Sequence, residues 1–192
     1  MSPDSDIENI KLASNITVKK YKELEAERNK SELAKFIYER FSERYIIPIE
    51  SMKRKNGFTT MAVSCLMIEV FQSFREGLGD TNGKSIRCFK LFFKSTKGFE
   101  CFTDYESKFY YNVRCGILHQ AETTGGWKIY RKGVLFDKDN LSINATLFLS
   151  HLKASLKEYQ SQLENQDWDD ELWKNSRKKM AAVIDNCKRE GC

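Results

Sequence analysis

Residues 58–78 read FTTMAVSCLMIEVFQSFREGL. Phe58, Met61, Ala62, Cys65, Leu66, Ile68, Val70, Phe71 and Phe74 spread apolar side chains over most of a helical circumference. A helix of that kind belongs inside a bundle. The longest apolar run, Met61 to Val70, is broken by Ser64 and Glu69 and falls short of the ~20 residues a membrane span needs. No membrane association is expected.

The sequence on either side supports an all-α helical bundle of five to seven helices. The only two prolines, Pro3 and Pro48, leave most of the chain free to be helical. Leu33, Phe36, Ile37, Phe41 and Tyr45 recur at helical spacing within 17–46, with Ser31 as a possible cap that divides the stretch. Pro48 suits the first turn of a short helix, and Asn56-Gly57 marks a break. Residues 85–95 read as a helix, although IRCFKLFF also has strand composition. A helix over 102–122 is expected from the stripe Phe102, Tyr105, Phe109, Val113, Ile117 and Ala121, with Thr103 and Glu106 as its capping box. Trp127–Arg131 and Val134–Phe136 suggest an inserted β-hairpin at 127–136, anchored by Trp127. Asn144 caps an amphipathic helix to about Leu163, and a last helix runs from about Asp169 to Lys188. The expected organisation is a polar tail at 1–16 and one helical domain at 17–192, with its C-terminal helix inside 167–192.

Composition narrows the function classes. The 192 residues hold 32 Lys+Arg, 27 Asp+Glu, six Cys and two His, with 41% hydrophobic and 31% charged side chains, as in ordinary globular proteins. Basic against acidic counts are 12 to 10 over residues 1–60, 8 to 7 over 61–122 and 12 to 10 over 123–192. No segment is a polybasic arm of the kind that binds nucleic acid by charge alone. The N-terminal MSPDSDIENI has neither a basic nor an apolar signal region, so a cytoplasmic location with free thiols is expected. No C-x2-C pair occurs, and two histidines hardly complete a zinc site; no metal and no cofactor are expected.

One stretch carries chemistry: Tyr110-Tyr111-Asn112-Val113-Arg114-Cys115-Gly116-Ile117-Leu118-His119-Gln120. A histidine can move a proton near neutral pH, and an arginine fork can stabilise charge on phosphoryl oxygens. Together they suit RNA cleavage in which the substrate's own 2′-hydroxyl attacks. Gly116 inside a helix costs about 1 kcal/mol relative to alanine, which points to close approach by another backbone or a ligand. Residues five apart on an α-helix diverge by roughly 140°. Arg114 and His119 therefore meet on one phosphate only if the helix loosens near Gly116 or two copies pool their side chains. Glu69, a carboxylate in the most apolar helix, needs a partner, and Arg114 is the natural one.

The Arg114-x4-His119 spacing at the end of a helix in an all-α bundle resembles the R-x4-6-H motif of HEPN domains. Arg-Cys-Gly-Ile-Leu-His followed by Thr-Thr-Gly-Gly-Trp is also similar to a group of uncharacterised bacterial HEPN-like proteins. The resemblance covers mainly residues 58–160. It implies a metal-independent endoribonuclease of toxin–antitoxin or antiviral-defence type, a homodimer with a composite cleft, RNA as partner, and an antitoxin or nucleotidyltransferase alongside. It makes Arg114 and His119 catalytic, with Glu69, Asn112, Cys115 and Gln120 in support and Tyr110 and Tyr111 available to stack on a base. Active members commonly carry a polar residue directly after the arginine, where this chain has Cys115. That departure favours the alternative, a non-catalytic HEPN-like module binding nucleotide, RNA or protein.

Each of these residues also has a structural reading. Arg114 can serve a buried ion pair, and His119 can sit at a helix C-terminus for its partial negative charge. His151 reads as a rim residue; Cys65, Cys88 and Cys187 as small core residues; Trp168 and Trp173 as packing. The run Arg177, Lys178, Lys179 reads as a solvated face.

Overall fold

The computed structural model of the protein describes residues 7–187. Expectations for residues 1–6 of the tail, for Lys188 at the end of the last helix and for Cys192 lie outside the described residues. The described residues are predominantly helical, as the sequence predicts, and also form two small sheets. The described residues divide into two compact units. One comprises the described parts of Met1–Arg44 and Leu156–Cys192 together with Ser73–Asp80; the other comprises Tyr45–Gln72 and Thr81–Ser155.

In the first unit, strands β1 (Lys11–Ala13) and β2 (Ile16–Thr17) pair antiparallel. The expected polar tail is thus structured from Lys11 onward, because Leu12 and Ala13 are buried. Arg44 also donates to the Leu12 carbonyl at 2.9 Å. Thr17 then caps α1 (Val18–Ala26), its hydroxyl accepting from the Lys20 N–H. The helical stretch expected over 17–46 is divided, not at Ser31 but where Arg28 takes a left-handed backbone (φ 53°) and Asn29 caps α2 (Lys30–Phe41). Tyr21 packs against Phe36 with tilted rings, and Phe41 meets Phe74 edge to face at 5.3 Å. Trp173 is buried and donates its indole N–H to the Leu163 carbonyl at 2.8 Å, with Trp168 against its ring and Arg177 over Trp168. Both tryptophans are packing residues, and Arg177 leaves the solvated cluster to cover one of them.

The second unit holds the motif. A π-helical turn (Ser42–Ile46) leads to α3 (Ile47–Glu50), with Pro48 in its first turn. Asn56 accepts the Thr59 N–H at 3.1 Å and opens α4 (Gly57–Glu76), the apolar helix of the sequence reading. By length and composition alone α4 could cross a membrane, yet 61% of its apolar window is buried in the protein. Helix α5 (Ser85–Ser95) follows, its IRCFKLFF run helical because Cys88, Phe89, Phe92 and Phe93 fall on one buried face.

The helix expected over 102–122 is four shorter pieces: a 3-10 turn (Glu100–Phe102), α6 (Glu106–Phe109), a π-helical segment (Tyr110–Cys115) and α7 (Gly116–Gln120). Thr103 forms no capping box. Asp104 turns left-handed (φ 70°) beside it, and Tyr105 precedes α6 without a side-chain cap. The break lets Phe102 insert between Phe93 and Phe136, with ring centroids 4.8 and 4.7 Å away.

The expected hairpin at 127–136 is corrected. Strands β3 (Lys128–Tyr130) and β4 (Phe136–Asp137) do not pair with each other; β5 (Ser142–Asn144) lies between them, parallel to β3 and antiparallel to β4. Trp127 is the anchor the sequence suggests, buried and stacked on Phe136 at 5.1 Å. Asn144 caps α8 (Ala145–Asn165) by accepting from the Thr146 and Leu147 N–H groups, and it donates to the Gly133 carbonyl at 2.7 Å. Asn144→Ala removes all three bonds at a buried position. A loss of about 2 kcal/mol is expected, read as a lower urea midpoint with unchanged slope. Asn144→Asp, which keeps the cap but not the donor to Gly133, should fall between. The last helix, α9, spans Glu171–Cys187.

Candidate functional site

The site is built on α4 and the segment 110–120. Glu69 points from α4 and is 7% exposed. Its Oε1 accepts from Arg114 Nε at 2.7 Å, so the pair expected from sequence forms. Its Oε2 accepts from the hydroxyls of Ser85 (2.8 Å) and Thr81 (3.4 Å). With the second oxygen occupied by hydroxyls, the carboxylate holds the guanidinium by one edge rather than as a two-pronged fork. The sequence reading missed Thr81 and Ser85; the available signal was a hydroxyl at the start of α5, close in space to a carboxylate that must be satisfied.

Arg114 is half-buried, with its guanidinium 5.5 Å from the centre of the Tyr110 ring. Burial opposes its charge, but the Glu69 hydrogen bond and charge outweigh this and hold its pKa above the ordinary arginine value. Tyr110 is raised too, first by burial and then by its hydrogen bond to Cys115. Tyr110 packs against Phe89 at 5.5 Å, so the core claims it, while Tyr111 is 59% exposed. Cys115 is half-buried in the same cluster as the fully buried Cys65. Burial pushes the Cys65 thiol well up, which keeps it a protonated core residue. Cys88 is also core, whereas Cys187 is only half-buried.

The backbone loosens as one of the two sequence options requires. Tyr110–Cys115 is π-helical, with wider turns than an α-helix, and π segments recur at functional sites. Gly116 follows directly, and the structure identifies what approaches it. A Cβ there would lie 2.6 Å from the Glu122 carbonyl oxygen and 3.3 Å from Thr123 Cα. The close neighbour is the chain's own loop, not a ligand. Ala121 ends α7 in a left-handed conformation (φ 55°), and the loop folds back so that the Thr124 N–H reaches the Asn112 carbonyl at 2.9 Å. The Asn112 side chain donates to the Lys108 carbonyl and accepts from the Thr124 hydroxyl at 3.0 Å. At Gly125 (φ 60°) a Cβ would stand 2.4 Å from Asn112 Oδ1. Asn112 thereby secures the loop.

His119 and Gln120 are exposed at the end of α7. Among the described residues no hydrogen bond or ion pair joins His119 to another group, and none links it to Arg114. The chain thus presents an anchored arginine and a free imidazole on the same short segment, flanked by exposed Tyr111 and Leu118 (42% exposed). His151 is half-buried against Phe99 and beside Gly98, a rim position. Among the described residues no three His, Cys, Asp or Glu side chains gather as a metal site.

The fold and site define a predominantly helical protein with a carboxylate-anchored arginine and an exposed histidine five residues later. No family model, no curated protein and no solved structure matches the chain.

Proposed function

We propose that the protein is a cytoplasmic, metal-independent endoribonuclease of the HEPN type, working as a homodimer in a toxin–antitoxin or antiviral-defence setting. The observation that carries this reading is the way Arg114 is held. Glu69 grips it through Nε while Ser85 and Thr81 take the other carboxylate oxygen, which leaves guanidinium N–H groups for a phosphate. Arg114 then stabilises charge on the non-bridging oxygens. The imidazole of His119 takes the proton of the attacking 2′-hydroxyl or supplies one to the departing 5′-oxygen. The 2′-oxygen forms its bond to phosphorus as the P–O5′ bond breaks, giving a 2′,3′-cyclic phosphate and a 5′-hydroxyl. Gln120, exposed beside His119, supports the cleft, and a second copy brings its own motif to it.

The test is incubation of mixed RNA with the full chain in EDTA, followed by end-group analysis. Fragments with cyclic-phosphate and 5′-hydroxyl ends are expected. Absence of cleavage at every salt concentration, or fragments ending in a 5′-phosphate, sinks the reading. Light scattering addresses the dimer; a monomer at micromolar concentration removes the composite cleft. A second reading, a non-catalytic module, is favoured by Cys115 in place of a polar residue and by the absence of an orienting partner for His119 among the described residues. It has the protein bind RNA, nucleotide or a protein partner without cutting.

A further inference from the structure

Beside the motif, within the same unit, lies an open groove of about 580 Å³, a volume in the range of ligand sites. Its lining includes Phe58 of α4, Glu122 and Thr123, and Lys128, Tyr130 and Arg131 of the β3 region. Glu122 and Thr123 are the loop residues that press on Gly116, between Arg114 and His119 in the sequence. The groove therefore borders the motif directly.

Its chemistry suits a polyanion that carries flat rings. Lys128 and Arg131 are exposed, and neither pairs with a carboxylate among the described residues. Arg131 is steadied by a 3.4 Å bond to the Lys55 carbonyl. The acid in the groove, Glu122, is turned to its own loop, accepting from the Thr123 N–H at 3.0 Å. Tyr130 is 52% exposed and Phe58 half-buried, so two aromatic side chains of the lining are accessible. Lys53 and Arg54 precede the groove in the exposed loop before α4. These cations come from segments some 70 residues apart in sequence, so no basic run announces them. Cations that track a backbone, alternating with aromatic faces, are how single strands are held without base reading.

We propose that this groove binds single-stranded RNA, with Lys128 and Arg131 on phosphates and Tyr130 stacking on a base, and that it leads the strand toward Arg114 and His119. The direction of the strand rests on the ribonuclease reading; binding itself does not.

The experiment uses fluorescence anisotropy of a labelled single-stranded RNA 12-mer over a salt series, with the full chain carrying His119→Ala to prevent turnover. Lys128→Glu with Arg131→Glu should weaken binding on the order of tenfold or more and lower the slope of log affinity against log salt by about 1.4. The milder Lys128→Gln with Arg131→Gln gives a smaller loss in the same direction and stands in if the reversal disturbs folding. Lys174→Glu with Lys178→Glu, an equal charge change on exposed lysines of α9, should have little effect on affinity. An equal loss in both charge-reversed pairs, an unchanged affinity in the groove variants, or no binding by the parent protein overturns the groove. Binding through the groove without cleavage by the chain that retains His119 leaves the groove standing and removes the nuclease. Cleavage with groove variants binding normally does the reverse.

Discussion

Substituting His119 by alanine is expected to slow RNA cleavage by about 10²–10⁴-fold, the usual contribution of a positioned general acid or base. The melting temperature should move by less than about 2 °C. His119 is exposed, and among the described residues it has no hydrogen-bond or ionic partner, so its removal leaves nothing buried and unpaired. This makes His119 the cleaner probe of chemistry. Cleavage rates from equal masses of folded protein, with thermal melts alongside, supply the comparison. Cleavage that survives intact in the alanine variant takes the imidazole out of the mechanism.

Arg114→Ala behaves differently, because Arg114 serves the fold as well as the proposed chemistry. Its removal leaves the Glu69 carboxylate, 7% exposed, with the hydroxyls of Ser85 and Thr81 and, among the described residues, no cationic partner. Breaking a buried ion pair from one side costs about 3–5 kcal/mol. The Arg114 side chain is 16% exposed, which places the loss near the lower end, about 3 kcal/mol. Urea denaturation reads it directly. Replacing both partners with apolar residues, Glu69→Leu with Arg114→Met, should recover much of the loss, since no unpaired charge remains. Arg114→Lys keeps the charge but not the planar Nε donor and should lie between. An Arg114→Ala variant as stable as the parent shows that the pair is solvated and idle. Loss of cleavage in Arg114→Ala counts as chemistry only after the protein is shown to be folded under assay conditions. For that reason the two substitutions belong in one experiment.

Much of the local structure was legible because the controlling interactions lie within a few residues. Asn144 caps α8 through N–H groups two and three residues on. Pro48 sits in the first turn of α3. The face Cys88, Phe89, Phe92, Phe93 resolves α5 as a helix despite its strand composition. The pairing of Glu69 with Arg114 was also legible, since a carboxylate in an apolar helix demands a cation and Arg114 lies in a second apolar stretch. The failures are non-local. β3 finds its neighbour fourteen residues on, at Ser142–Asn144, with register Lys128 to Ser142, and no turn signal encodes a parallel partner. The Thr103–Glu106 capping box yielded to the burial of Phe102 between two rings. Stacking of that kind outweighs a cap worth about 1 kcal/mol. Gly116 announced a close approach, but only the folded loop says that Glu122 and Thr123 make it.

By itself the sequence determined the helical class, the apolar helix at the centre of the reading, the carboxylate–arginine pair and the spacing of Arg114 from His119. Those follow from periodicity and from the cost of an unpaired buried charge, both written in residue type and order. The tertiary structure decided the rest: the π turn that holds Arg114, the hydroxyls that occupy Glu69, the commitment of Asn112 to a loop and the cationic groove beside the motif. Each depends on segments far apart in sequence meeting in space, and side-chain packing, unlike helical periodicity, has no local signature.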